Sequence, residues 1–469
     1  MLAHFVRRAH AAHRLAFTLA AALAHAMALA PSLPAQKSLS PPITASQAAS
    51  EPAPTSALEA IRLGDIYSAV RRQNPKAAAA RSLADATRAR IPGATLPPDP
   101  QIQLSFMNYG LPNLQPMDPT GMAQLQLMQM VPTAGKLGLS GRIATARAGA
   151  DQERAAEVEW ELRSQAAMAY YEVYEAEQSV AIARETRRLV QDIERIAATM
   201  YEVGEGRQAD VLRAQVEVAR MTEMITRMEA MRVAAAARLN ALLDRSLDTP
   251  IATTLLPAFP GDVASVDSLA ILASRHRPMI RAGEEEVQAA EGMVALARRE
   301  LVPDLVVGVQ YGQRSGVMGT ERMGSLMLGA SIPIYANRRQ LKMRDEAAAM
   351  RAMAEADLKY MRADTRGKVG EAHAMLTRAR NLAKLYVTTV LPQAEATVAS
   401  AFAAYRVGRV DFMTLLDDRM TVNNYRQELV ALQSEEGRAW AELEMLTGRE
   451  LFDPNTVSLA SSSGRGGRP

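Results

Sequence analysis

The sequence predicts a mainly α protein with a β part, built as two copies of one unit: helix, strand, strand, long helix, tip, helix. Three observations predict it. Tyr201-x-Val203-Gly204 matches Tyr405-x-Val407-Gly408 without a gap at an offset of 204 residues, and self-similarity on that scale marks a duplicated architecture. An Ala-rich helical pattern of about 65 residues runs into each of the two Gly residues, and a helix of that length belongs to a coiled coil or a helical array. Ahead of each long helix lie two segments that alternate polar and apolar residues, the period of a strand with unlike faces.

Residues 1–35 read as a secretory signal peptide. Arg7, Arg8 and Arg14 precede or open an apolar run, Leu15 to Leu29, that is shorter than the ~20 apolar residues needed to span a bilayer. Ala28-Leu29-Ala30 and Leu33-Pro34-Ala35 both fit a cleavage site, and Pro31 directly after Ala30 favours Ala35. Residues 36–56, rich in Pro, Ser, Thr and Ala, read as a flexible lead-in.

The first repeat is expected over 57–243. A helical pattern from Leu58 to Arg90 is broken at Pro75. Strands are expected at about 101–109 and 122–131, then a helix from Lys136 to about Met200, which is ~100 Å long at 1.5 Å per residue. Leu162, Ala166, Ala169, Val173, Ala176, Val180 and Ala183 are spaced alternately by four and three, the seam of a left-handed supercoil. After the tip near 204, Val211, Ala214, Val218, Met221, Ile225 and Met228 keep the same spacing, and the helix ends near Leu243.

A Pro-rich stretch, 244–264, links the halves. The second repeat, 265–447, has Pro278 where the first has Pro75, strands at about 304–312 and 325–333, and a tip near 408. Pro392 falls inside its long helix and is expected to kink it. Residues 448–469 form a C-terminal segment ending in a Ser, Gly and Arg tail that is expected to be disordered.

The formal net charge of +3 comes from the leader; without Arg7, Arg8 and Arg14 acids and bases balance. No broad basic surface remains for nucleic acid. The chain has no Cys, and four of its six His lie in the leader. Cys/His zinc sites, thiol catalysis, disulfides and a lipid-anchored N-terminal Cys are therefore not expected. No phosphate-cradling Gly loop, paired acid/base or catalytic constellation stands out, so no enzyme activity, cofactor or resident metal is expected. Met107, Met117, Met122, Met128 and Met130 crowd the first strand pair, and Met318, Met323 and Met327 the second. Thioethers suit soft ions such as Cu(I). In a chain with 4% aromatics, Met standing in for Leu and aromatic residues is the preferred account.

Four strands cannot close a membrane barrel, which in single bacterial chains starts at about eight, so several chains must share one. The order of elements, the two halves and the tip motifs resemble the TolC-like outer-membrane efflux channels over roughly Leu58 to Thr447. The residues carrying the resemblance are Tyr201-x-x-Gly204 with Asp210-Val211-Leu212, and Tyr405-x-x-Gly408 with Leu415-Leu416-Asp417. The resemblance, which includes a faint likeness to a metal-efflux subtype at Gly135-Lys136-Leu137, implies a homotrimer. In it a 12-stranded outer-membrane barrel, set in lipid, continues into a periplasmic α-helical tunnel that docks a periplasmic adaptor and an inner-membrane pump. It further implies that Val203, Gly204, Val407 and Gly408 form the adaptor-docking tips, and that Asp417, Asp418, Asp210 and Tyr405 belong to a periplasmic gate. Thr414 stands where relatives carry a second acid, with Asp418 as the substitute, and Val410 where a relative has a basic residue. The alternative is a periplasmic coiled-coil scaffold outside the membrane, which has no use for four amphipathic strands.

Overall fold

In the computed structural model of the chain, the described residues are 61–110, 113, 115–117, 121–251, 254–316 and 319–456. The described residues all belong to one compact unit. The signal peptide, the lead-in, Met318 and the tail from 457 lie outside the described residues.

Helices α1 (Leu63–Gln73) and α2 (Pro75–Ala89) meet at the break expected at Pro75 and are followed by a short α3 (Ile91–Thr95). The break has a local cause: the Asn74 side chain accepts from the Lys76 amide at 2.9 Å, and Pro75 occupies the first helical position, where its missing N–H costs nothing. The second half repeats this with α6 (Val266–His276) and α7 (Pro278–Arg299). Here Arg277 stands at the cap position without a capping side chain of its own. Glu157 from the long helix α4 (Lys136–Glu202) accepts from the Met279 amide at 3.1 Å instead. The same buried carboxylate receives Arg277 at 2.8 Å, so one ion pair caps α7 and ties the second repeat to the first.

From the first tip α5 (Gln208–Leu242) returns along α4. In the second half α8 (Gln340–Leu385) leads through a π-helical turn, Tyr386–Val390, into α9 (Leu391–Tyr405), and α10 (Phe412–Thr447) returns. The turn answers the kink expected at Pro392. Proline cannot donate to the carbonyl one turn back, and the widened turn directly ahead of it takes up the misfit. The largest core lies where α1, α4, α6, α8 and α10 meet the end of α5 and Ile251, Leu256 and Phe259 of the link, around Tyr170, Tyr171, Trp440, Leu443 and Leu446. Gly437 of α10 lies directly over the buried Tyr171 ring, in the space a side chain would need.

Between α3 and α4, β1 (Gln101–Met107) and β4 (Met122–Val131) pair antiparallel; β2 (Tyr109–Gly110) and β3 (Gln115–Pro116) form a small ribbon between them. Between α7 and α8 lie β5 (Asp304–Gly316) and β6 (Gly319–Ser331). The sheet order is β1-β4-β5-β6, so the two repeats join through β4 and β5. The strand ends differ from expectation: β1 stops two residues early, before the left-handed Asn108, whereas β5 extends to Gly316 and β6 begins at Gly319. A long extended hairpin explains the difference, since polar residues such as Arg314 and Glu321 pair across it at 2.6 Å where apolar alternation has already stopped.

Candidate functional site

The sheet carries one unusual face. Ile102, Leu104, Leu125, Leu127, Val309, Tyr311, Leu326 and Leu328 lie on one side, and all are exposed. Leu326 is 68% and Leu328 76% exposed, whereas Gln124 on the opposite side is only 9% exposed. A water-soluble sheet buries its apolar side; here the apolar side is open, and such shelter as there is lies on the opposite side of the central strands, at Gln124, Gln126 and Gln310, as in a wall with lipid outside. No described helix is long and apolar enough to cross a membrane. Both edge strands, β1 and β6, lack a further neighbour within the described chain.

Where the sheet meets the helices, Lys136 is buried and bridges outward. Its Nζ donates to the Val302 carbonyl at 3.0 Å and to Asp304 Oδ1 at 2.9 Å, and pairs with Glu300 at 3.5 Å. The Thr133 amide also donates to Asp304, at 3.0 Å. Lys136 therefore clamps the start of α4 to the start of β5, a structural role that its place in Gly135-Lys136-Leu137 did not reveal.

At the far end of the long helices the two tips share one geometry. Gly204 and Gly408 have φ of +79° and +70°, the left-handed conformation that closes a helix C-terminus. The Glu205 amide donates to the Met200 carbonyl at 2.8 Å and the Gly204 amide to that of Tyr201 at 3.1 Å. Arg409 to Ala404 at 2.9 Å and Gly408 to Tyr405 at 3.0 Å repeat the pattern. Both are Schellman caps, and each presents an exposed valine, Val203 at 66% and Val407 at 68%. The matching tyrosines differ: Tyr201 is 48% exposed and Tyr405 8%. Tyr405 packs edge-on against Phe412, ring centroids 5.9 Å apart, in a cluster with Val190, Ile193 and Ala214 that joins both hairpins.

Burial raises the Tyr405 phenol above its ordinary range, and the Asp210 charge adds to the effect. Among the described residues no hydrogen bond joins Tyr405 to Asp210, and Tyr405 serves as a packing residue. Asp417 is exposed and Asp418 half-buried, and neither makes an ion pair among the described residues. One tip residue went unnoticed in the sequence. Asp411 begins α10 and accepts from the Thr414 hydroxyl, which holds its carboxyl below the usual range; Arg207 of the other tip adds to this. Its signal was an Asp three residues before a Thr at a helix start. Arg207 and Asp411 occupy matching positions of the two repeats with opposite charge.

These features define a channel-forming class: a lipid-facing sheet joined to paired helical hairpins. The chain belongs to the outer membrane efflux protein family, whose model matches residues 66–245 and 269–449, one match per repeat. Among curated proteins no sequence match is found. Solved structures share the fold. CusC, studied for its folding and transmembrane channel formation, has TM-score 0.71 at 17% identity, covering 83% of this chain and 92% of CusC. The outer membrane protein VceC of Vibrio cholerae has TM-score 0.71 at 16% identity, covering 83% and 97%. The CmeC outer membrane channel of Campylobacter jejuni has TM-score 0.69 at 14% identity, covering 91% and 100%.

Proposed function

We infer that this chain is the outer-membrane duct of a tripartite efflux pump. The observation that carries the inference is the sheet with exposed leucines on one face and Gln103, Gln124, Gln126 and Gln310 on the other. In lipid, every unpaired backbone group costs several kcal/mol, so the free edges of β1 and β6 must be met by further copies. Three copies give the 12 strands of a closed barrel, and the helical hairpins below it enclose the tunnel. The duct is passive: an inner-membrane pump supplies energy and choice of cargo, and a periplasmic adaptor docks at the tips, on Val203, Gly204, Val407 and Gly408. The leader exports the chain, and the mature protein sits in the outer membrane and reaches into the periplasm. A periplasmic scaffold leaves the exposed apolar face without purpose.

The gate belongs to the same inference. Asp417 lies nine residues beyond Gly408, about two and a half turns at 3.6 residues per turn. Three copies around one axis make a carboxylate ring that attracts cations, with Asp418 and Asp210 adding to the field. Planar-bilayer recordings of the purified protein test this. Asp417→Ala is expected to lower cation over anion preference severalfold. Tyr405→Ala, which empties the packing that joins the hairpins, is expected to raise resting conductance, whereas Tyr405→Phe leaves it unchanged. Unaltered selectivity in Asp417→Ala would make Asp417 an ordinary helix-surface acid.

A further inference from the structure

The strand register sorts the methionines of the sheet in a way composition does not explain. Met107, Met122, Met128, Met130, Met323 and Met327 all fall on the face opposite the exposed leucines. Methionine that merely replaced leucine would share the lipid-facing side; in the four strands that side carries none among the described residues. Thioethers therefore line the lumen.

Two of them flank one glycine. Gly308 stands in register between Met128 and Met327. The position a Cβ would take at Gly308 is 3.2 Å from Met128 Cγ and 3.4 Å from Met327 Cε, so both side chains close over the space the glycine leaves. Gln126 Nε2 donates to Met327 Sδ at 3.6 Å, a contact that fixes where the sulfur sits. Met128 is half-buried, and Met327 is the sheltered residue of an otherwise exposed β6. The row beside the pair is Gln103, Gln126 and Gln310, all uncharged amides. Farther along this face, Arg314 and Glu321 neutralise each other.

We propose that Met128 and Met327, packed on either side of Gly308, form a soft-cation subsite in the barrel lumen, one per chain, that takes Cu(I) or Ag(I) as passing cargo. This rests on the duct inference, which makes that face a lumen. Thioethers are neutral, polarizable ligands that select soft monovalent ions over Mg²⁺, Ca²⁺ or Zn²⁺. Two neutral ligands bind such an ion without the charge that would hold it fast. A conduit needs that balance, since a site on a transport path must release what it binds.

The test uses the full chain, purified as the assembled oligomer in detergent, with Ag(I) as probe. Equilibrium uptake is compared between the wild type and the variant Met128→Leu with Met327→Leu, a swap that keeps volume and apolarity. The wild type is expected to hold about one Ag(I) per chain more than the variant, with no such difference for Zn(II). In the wild type, Ag(I) is also expected to protect Met128 and Met327 from peroxide oxidation severalfold more than the exposed Met343 and Met350 of α8. That second measurement needs no variant to fold. Equal uptake by both proteins, or no selective protection, overturns the subsite. Conductance of the same wild-type preparation in planar bilayers separates the two inferences: a protein that conducts but shows neither effect remains a duct without a soft-ion site.

Discussion

Gly204→Val combined with Gly408→Val is expected to abolish efflux while leaving strand content and oligomer intact. Both glycines sit at positive φ, +79° and +70°. A β-branched residue there costs about 1–3 kcal/mol of backbone strain, and a trimer carries the pair three times. No atom lies within 4 Å of where either Cβ would stand, so the damage is to the local turn and not to packing. The Schellman bonds from Glu205 and Arg409 are lost, and the adjoining Val203 and Val407 are no longer held in one orientation. The check is drug or metal-ion susceptibility of cells complemented with the double variant, alongside circular dichroism of the purified protein. Full resistance with native circular dichroism would place docking elsewhere.

Arg277→Met is expected to destabilise the helical region more than any surface charge change. Arg277 donates through Nε and Nη2 to Glu157 Oε1, at 3.0 and 2.8 Å, and through Nη1 to Thr365 Oγ1 at 2.7 Å. The Glu157 side chain is 1% exposed. Removing one partner strands a buried carboxylate with a single backbone donor, which costs about 3–5 kcal/mol. Arg277→Met with Glu157→Leu should recover most of that, because it removes the stranded charge. Exposed pairs such as Arg227 with Glu223, at 3.4 Å on one helix, contribute about 0.3–0.5 kcal/mol. Unfolding rates in denaturant compare the variants. A single variant as durable as the wild type would show that the pair does not bind the repeats together.

The duplicated order of elements was legible because each level of the sequence states it: Pro75 and Pro278 at matching breaks, alternation in four strands, and Gly204 and Gly408 where only left-handed backbone closes the helix. The tip positions were legible for the same reason, since a positive φ leaves a residue-type signature. The pairing partners were not. Nothing near Glu157 announces Arg277, which lies 120 residues away, and Lys136 reads as an ordinary helix-start cation until Val302 and Asp304 are brought beside it. The methionines were visible as a cluster, but their face follows only from strand register, which shifts every side chain across the sheet for a slip of one residue. Tyr405 stands out in the sequence through its tip motif, but its packing on Phe412 follows only from the folded cluster.

The central claim is that three chains share one closed barrel through β1 and β6. The chain has no Cys, so an introduced pair reports without background. Gln103→Cys on β1 and Ser325→Cys on β6 place one thiol on each free edge of the sheet, both on the amide-bearing face. Treatment of the native oligomer with a flexible thiol–thiol cross-linker should give bands of one, two and three chain masses, and none above three. A ladder that continues past three, or bands of single chains alone, would contradict the shared barrel.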